Sequence, residues 1–282
     1  MAPTIQLIPT AFGLAAVFAW GFSDFLGGFG SRRANPFLLT AISHVGGLVL
    51  AFALAWTSHA AFPPMPSVRW ALLAGATGGA TLSLFYAALS SGKMGLTAAI
   101  AAVVGAAIPA AVGILTEGFP GALALAGFVL AGIGIWLIAR PETGGLSPKG
   151  LAIAIVCGVG FACFYLFIKQ AGDISAYWGA TCSRFAALVA VGAIVALGRH
   201  TAPMDAPRAG IGLLAGMLDV TGTICFIRAS QTGRLDAAVM LTSLYPAVTV
   251  VLARIFLREH FTRWKVIGIL AALIAVPLIA AH

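Results

Sequence analysis

Charge is what this sequence has least of. Only 9% of its 282 residues are charged, sixteen Lys+Arg and eight Asp+Glu, against 61% that are hydrophobic. Soluble domains carry roughly 25% charged residues, so water is excluded as the chain's main solvent. Apolar segments of ~20 residues, the length that crosses a bilayer, fill most of the chain and leave no room for a soluble catalytic domain. The basic excess does not mark a nucleic-acid partner, because Lys and Arg sit singly or in pairs at the ends of apolar runs and form no stripe.

Chemistry-bearing motifs are equally scarce. The four cysteines, Cys157, Cys163, Cys182 and Cys225, lie inside apolar runs without CxxC spacing or a nearby His cluster. They read as small hydrophobic core residues rather than redox centres or metal ligands. No Gly-x-Ser-x-Gly turn and no His-Glu-x-x-His helix occurs, so neither a hydrolase nor a metal site is expected. A phosphate-binding Gly-x-x-x-x-Gly-Lys-Ser/Thr loop is also missing, so no nucleotide cofactor is expected and any active transport must draw on an ion or solute gradient. The first ten residues lack the positive start of a secretion signal, so the first apolar stretch is expected to be retained.

What is present is a succession of spans. Polar, Pro and Gly punctuation places ten of them at about 9–29, 36–57, 68–90, 94–116, 120–139, 148–170, 175–197, 208–230, 235–257 and 262–281. Each run is continuously apolar, whereas barrel strands alternate over about 10 residues. An all-α polytopic membrane protein follows, with its longest polar connectors at 141–149 and 198–208.

Basic residues divide unequally between alternate connectors. Arg32, Arg33, Lys93, Arg140, Lys149, Arg199, Arg208, Arg258, Arg263 and Lys265 fall on one side; Arg69, Lys169, Arg234 and, at the end of span eight, Arg228 fall on the other. By the positive-inside rule the first side is cytoplasmic and both termini lie outside.

The chain also repeats itself. Gly13-Leu14-Ala15 matches Gly150-Leu151-Ala152, Gly21 matches Gly158, and Ser43-His44 matches Ser183-Arg184. Further on, Ser91-Gly92-Lys93 matches Thr232-Gly233-Arg234, and Leu115 to Phe119 matches Leu257 to Phe261. A common order and a nearly constant offset near 140 imply two five-span halves, 1–143 and 144–282. Because five is odd, the second half enters the membrane in the opposite sense, the inverted repeat of secondary transporters.

Four ionisable residues fall at mid-span: Asp24, His44, Arg184 and Asp219. At that depth each costs at least ~2.5 kcal/mol, so each is expected to face a cavity or a partner. At about 100° per residue, Phe18, Phe22, Phe25 and Phe29 form a stripe for lipid, and Asp24 lies opposite with Gly13, Trp20 and Gly27. Asp219 shares its side of span eight with Gly212, Ala215, Gly216, Thr223 and Phe226, facing away from Leu213, Leu214, Met217 and Ile224. Arg184 aligns with Tyr177, Ala180, Ala187 and Val191; His44 aligns with Thr40, Gly47 and Ala51; Tyr86 aligns with Gly75, Gly79 and Ser83.

Two readings of these residues compete. They are buried ion pairs that hold helices together, or they are contacts for cargo or protons. Asp24 and Asp219 suit an ammonium or a proton, and the planar fork of Arg184 suits a carboxylate or phosphate, so a cavity carrying both signs fits a zwitterion. Trp20, Tyr86, Tyr165, Trp178 and Tyr245 are candidate aromatic walls, with helix packing and interface anchoring as the alternative. Pro109 and Pro246 interrupt spans four and nine and are read as hinges or as static bends.

Trp20-Gly21-Phe22-Ser23-Asp24-Phe25, Leu244-Tyr245-Pro246, and Leu257-Arg258-Glu259 before the Gly268-containing tenth span resemble the EamA family of the drug/metabolite transporter superfamily. The resemblance covers essentially the whole chain. It implies a basket of ten helices around a central substrate cavity with alternating access. Within that family the chain is similar to bacterial aromatic amino-acid exporters, on overall likeness rather than a diagnostic motif. Asp24 departs from the Asn more common there, and Pro109 lies four residues later than the position equivalent to Pro246. Glu117 and Glu259 match a short Leu-x-Glu signature whose place at helix ends favours a structural role.

The expectation is an inner-membrane, multi-pass exporter of amino acids, aromatic ones foremost, and related small amphipathic metabolites, acting as a monomer on a small-molecule substrate with the lipid bilayer as its surroundings. Proton-coupled efflux of cationic drugs through an embedded carboxylate is the alternative. A membrane-embedded enzyme or scaffold is disfavoured by the missing motifs.

Overall fold

The computed structural model describes residues 7–90, 94–140, 147–198, 204–257 and 262–280. Lys93, Arg199, Arg258, Glu259 and the Ser91-Gly92-Lys93 half of one repeat match therefore lie outside the described residues. Within them the chain forms α1 (Leu7–Ser31), α2 (Pro36–Thr57), α3 (Met65–Ser90), α4 (Met94–Glu117), α5 (Ala122–Ala139), α6 (Pro148–Gln170), α7 (Ala176–Leu197), α8 (Ala206–Thr232), α9 (Leu235–Thr242), α10 (Tyr245–Leu257) and α11 (Arg263–Ala280). Among the described residues nine stretches are long and apolar enough to cross a membrane, with α9 and α10 together counting as one, and α5 is a shorter apolar helix.

Three helices that start on the basic side, α2, α6 and α8, do so by one device. Asn35 accepts hydrogen bonds from the backbone N–H of Phe37 and Leu38 at 3.0 and 3.2 Å, and Pro36 opens α2. Ser147 before Pro148 accepts from Gly150 at 3.1 Å, and Asp205 accepts from Arg208 at 3.0 Å. Asn35 satisfies two of the orphan donors of a first turn and Ser147 and Asp205 one each, and proline there gives up a donor that would have no helical partner.

Glycine decides which helices meet. A Cβ on Gly216 of α8 would fall 1.6 Å from the carbonyl oxygen of Ser43 on α2, and one on Gly75 of α3 would fall 1.9 Å from that of Ser183 on α7. Gly21 of α1 lies against Val248 of α10, and Gly158 of α6 against Val104 of α4, with 2.5 Å from added Cβ to valine Cβ in both cases. Gly134 of α5 and Gly268 of α11 lie on each other's backbone. Without these glycines the backbones could not approach so closely, and close approach is what drives helix association in lipid. The pairs are reciprocal: helix two of one half meets helix three of the other, and helix one of one half meets helix four of the other.

Two face assignments need correction. Phe18, Phe22 and Phe29 are 57, 41 and 43% exposed, but Phe25 is buried, with its ring 5.6 Å from that of Phe256 on α10. Ile224 is buried too, whereas Leu213, Leu214 and Met217 are exposed as expected. In both cases a neighbouring helix covers more of the surface than a single apolar stripe predicts.

The two prolines behave differently. Pro109 lies inside an unbroken α4, whereas the ninth span breaks at Ser243-Leu244 and restarts as α10 with Pro246 in its first turn. The break is bridged by four-residue backbone turns, Leu244 N–H to the Leu241 carbonyl at 3.2 Å and Ala247 N–H to the Leu244 carbonyl at 3.0 Å. All eight residues of α9 are buried.

Candidate functional site

Asp24 on α1, Arg184 on α7 and Asp219 on α8 converge on one cavity halfway along their helices. Gly75, Gly78 and Gly79 of α3 form one wall; Trp20 of α1, Phe164 and Tyr165 of α6 and Tyr245 of α10 supply rings. The space amounts to about 540 Å³ when its open mouth is counted.

Arg184 is the organising residue. Its Nη1 donates to Asp219 Oδ2 and its Nη2 to the Thr223 hydroxyl, which in turn donates to the Asp219 carbonyl at 3.1 Å. Nη1 also lies 3.4 Å from His44 Nδ1. A guanidinium carries donors only, so a hydrogen bond between them needs the lone pair of Nδ1, with the ring proton on Nε2. That Nε2 and the Arg184 Nε are buried without hydrogen-bond partners.

Asp24 differs from Asp219. It opens on the same cavity, and no ion pair or hydrogen bond to its carboxylate is found among the described residues. The cavity therefore holds one neutralised arginine and one unneutralised acid. Trp20 fixes the α1–α8 contact by donating Nε1–H to the Asp219 carbonyl at 3.1 Å, and Ser23 donates to Ala215 O at 2.8 Å.

The rings form a cluster. Trp20 lies 6.0 Å from Tyr165, 5.8 Å from Phe226 and, edge-on, 6.4 Å from Tyr245, while Tyr165 lies 4.9 Å from Phe226. Such tilted and edge-on pairs are favourable beyond the area they bury, and here they leave one side of Trp20, Tyr165 and Tyr245 to the cavity.

Three nominated residues do not line it. His44 stands behind Arg184. Tyr86 lies across Gly27, where an added Cβ would come within 2.4 Å of its ring, and its hydroxyl is 3.5 Å from Ser23 O, so it packs α3 on α1. Trp178 sits at the start of α7, donates to Ala60 O at 2.9 Å and meets the ring of Phe62 at 5.1 Å, which anchors the α2–α3 connection. Thr223, Phe164 and the α3 glycines were not nominated; Thr223 was legible one turn beyond Asp219, but the glycines carry no polar signal.

Away from the cavity, the far ends of α4, α6 and α8 are tied to α9. Glu117 accepts from the Leu235 N–H at 3.0 Å and lies 3.5 Å from Lys169 Nζ, which donates to Ser230 O at 2.9 Å. Arg234 donates to the Glu117 and Gly118 carbonyls and to the fully buried Asp236. Glu117 thus has the structural role its position suggested, a carboxylate at a helix N-terminus.

A model of the EamA-like transporter family matches residues 7–140 and again 148–281. No curated protein matches the chain. Twenty-six chains of known structure do. One, described only as "Crystal structure of protein", superposes with a TM-score of 0.77 over 96% of this chain and 95% of its own at 16% identity, which establishes a shared fold.

Proposed function

Because this chain belongs to the EamA-like transporter family, a family of multi-pass membrane transporters and not of enzymes, we propose that it exports amino acids, aromatic ones foremost, across the cytoplasmic membrane by alternating access. The observation that carries the reading is the pairing in one cavity of an unneutralised Asp24 with an Arg184 held by Asp219. The ammonium of the cargo pairs with Asp24. Its carboxylate takes the place of Asp219 on the Arg184 fork, and its ring lies against Trp20, Tyr165 and Tyr245. Exchange of one carboxylate for another keeps the guanidinium paired throughout, and the displaced Asp219 takes up a proton or the cargo's ammonium so that it is not left as a lone charge in low dielectric.

Two inverted halves are inferred from the reciprocal glycine contacts and from the double family match. Alternating access then consists of rocking these halves about the cavity. With both termini outside, the Glu117–Lys169–Arg234–Asp236 cluster and α9 form the outer seal, and the Ser243-Leu244 break is the joint on which α9 moves. Counterflow of radiolabelled Phe, Trp and Thr in proteoliposomes is the test; no exchange of any of them rejects amino-acid export.

One observation favours a second reading, proton-coupled efflux of cationic drugs: the only acid free of a cation among the described cavity residues is Asp24. The readings separate on Arg184→Gln. Amino-acid exchange disappears under the first, whereas cation efflux persists under the second and proton release accompanies drug binding.

A further inference from the structure

Where α5 ends and α11 begins, two arginines share one indole. The Arg140 guanidinium, at the C-cap of α5, lies 4.3 Å from the ring centroid of Trp264 and 5.8 Å from that of Trp136. Arg263, the first residue of α11, lies 5.3 Å from the same Trp264 ring. Close backbone contact between Gly134 and Gly268 brings the two helix ends together. Like charges gathered on one ring repel, yet neither guanidinium has an ion pair or side-chain hydrogen bond among the described residues. Held by its face over an aromatic ring, an arginine keeps its edge N–H donors free, and their fork matches the oxygens of a phosphate.

A second feature points the same way. Thr262, the residue before α11, has a buried hydroxyl without a hydrogen-bond partner. It stands at a helix N-terminus, where first-turn N–H groups lack helical partners and the dipole attracts anions. Below this charged end the surface turns apolar. Val129, Ile133 and Trp136 on α5 are 58, 46 and 59% exposed, and Leu270 on α11 is 53% exposed. Tryptophan at such a boundary is the usual marker of the headgroup level.

We propose that the joined ends of α5 and α11 bind the phosphate of an anionic phospholipid, with the guanidiniums of Arg140 and Arg263 on its oxygens and an acyl chain along the apolar face. Basic clusters between helices on the positive side of a membrane protein recognise such headgroups. The site lies apart from the central cavity and does not depend on what the cavity carries.

The test uses the full-length protein, delipidated in a neutral maltoside, with phosphatidylglycerol, phosphatidylcholine of the same acyl chains, or inorganic phosphate added. Phosphatidylglycerol should remain bound in native mass spectrometry and raise the thermal midpoint; phosphatidylcholine and inorganic phosphate should do neither. Arg140→Gln/Arg263→Gln should weaken phosphatidylglycerol about 30-fold, from two contacts of about 1 kcal/mol each. If the double variant is not recovered folded, Arg263→Gln alone should weaken it about 5-fold. Arg208→Gln, at an exposed arginine paired with Asp205, should leave it unchanged. Phosphatidylcholine binding as well as phosphatidylglycerol, an affinity indifferent to Arg263, an equal response to inorganic phosphate, or a dimer closing this face without lipid would each overturn the proposal.

Discussion

Arg184 on α7 and Asp219 on α8 form an ion pair through the middle of the bundle, with side chains only 7 and 13% exposed. Removing one partner strands the other. Arg184→Ala should abolish cargo exchange and lower stability by about 3 to 5 kcal/mol, because a buried carboxylate is left without compensation. Arg184→Ala/Asp219→Ala should recover most of the stability but not the exchange. Thermal unfolding in detergent alongside counterflow separates the two effects, and a double variant that transports would remove both residues from the cargo site.

Asp24 predicts the opposite pattern. Since no cation among the described residues holds its carboxylate, Asp24→Asn deletes a charge without stranding a partner. The variant should fold at least as stably as the parent and lose at least about 10-fold in cargo affinity, one charge-assisted hydrogen bond to an ammonium being worth about 1.5 to 3 kcal/mol. Isothermal titration with phenylalanine reads the affinity. Unchanged binding would take Asp24 out of the site.

The glycine crossings make a paired prediction. Gly216→Ala and Gly75→Ala each drive a methyl into a carbonyl of the facing helix, at 1.6 and 1.9 Å before relaxation. Nothing lies within 4 Å of a Cβ on Gly132 in α5. The first two should cost several kcal/mol or fail to give folded protein, as forced overpacking typically costs about 1 to 3 kcal/mol, whereas Gly132→Ala should be neutral or stabilising by up to about 1 kcal/mol. Folded yield and thermal midpoint decide, and equal behaviour of all three would contradict the backbone crossings.

Movement of α9 can be tested by locking it. A Cβ built on Gly13 lies 3.7 Å from the Cβ of Leu241, within disulfide range. In a background with Cys157, Cys163, Cys182 and Cys225 replaced, Gly13→Cys/Leu241→Cys should transport when reduced, stop when oxidised, and recover with dithiothreitol. Full flux in a quantitatively cross-linked sample would show that α9 stays on α1 throughout the cycle.

Much of this was legible before any tertiary contact. Nine of the spans and the shorter α5 follow from runs of apolar residues, because the bilayer imposes a length and leaves no alternative to the helix. The order of matches between the halves announced the double family match. Asp24, Arg184 and Asp219 stood out because ionisable groups are costly at mid-span, and the same signal brought in His44. Neither His44's place behind Arg184 nor the packing of Tyr86 and Trp178 away from the cavity could be read this way, since a residue's own helix does not say which neighbour covers it. Phe25 and Ile224 failed for the same reason.

The sequence by itself determined that this chain lives in a membrane, which stretches are apolar enough to cross it, and which few side chains had to avoid lipid. Tertiary structure decided that Arg184 is held by Asp219 while Asp24 is not, and that span nine breaks where span four runs on. The physical reason is range. Solvation cost and helix period are local properties, while the partner of a buried charge is set by backbone crossings such as Gly216 on Ser43, between residues far apart in the chain.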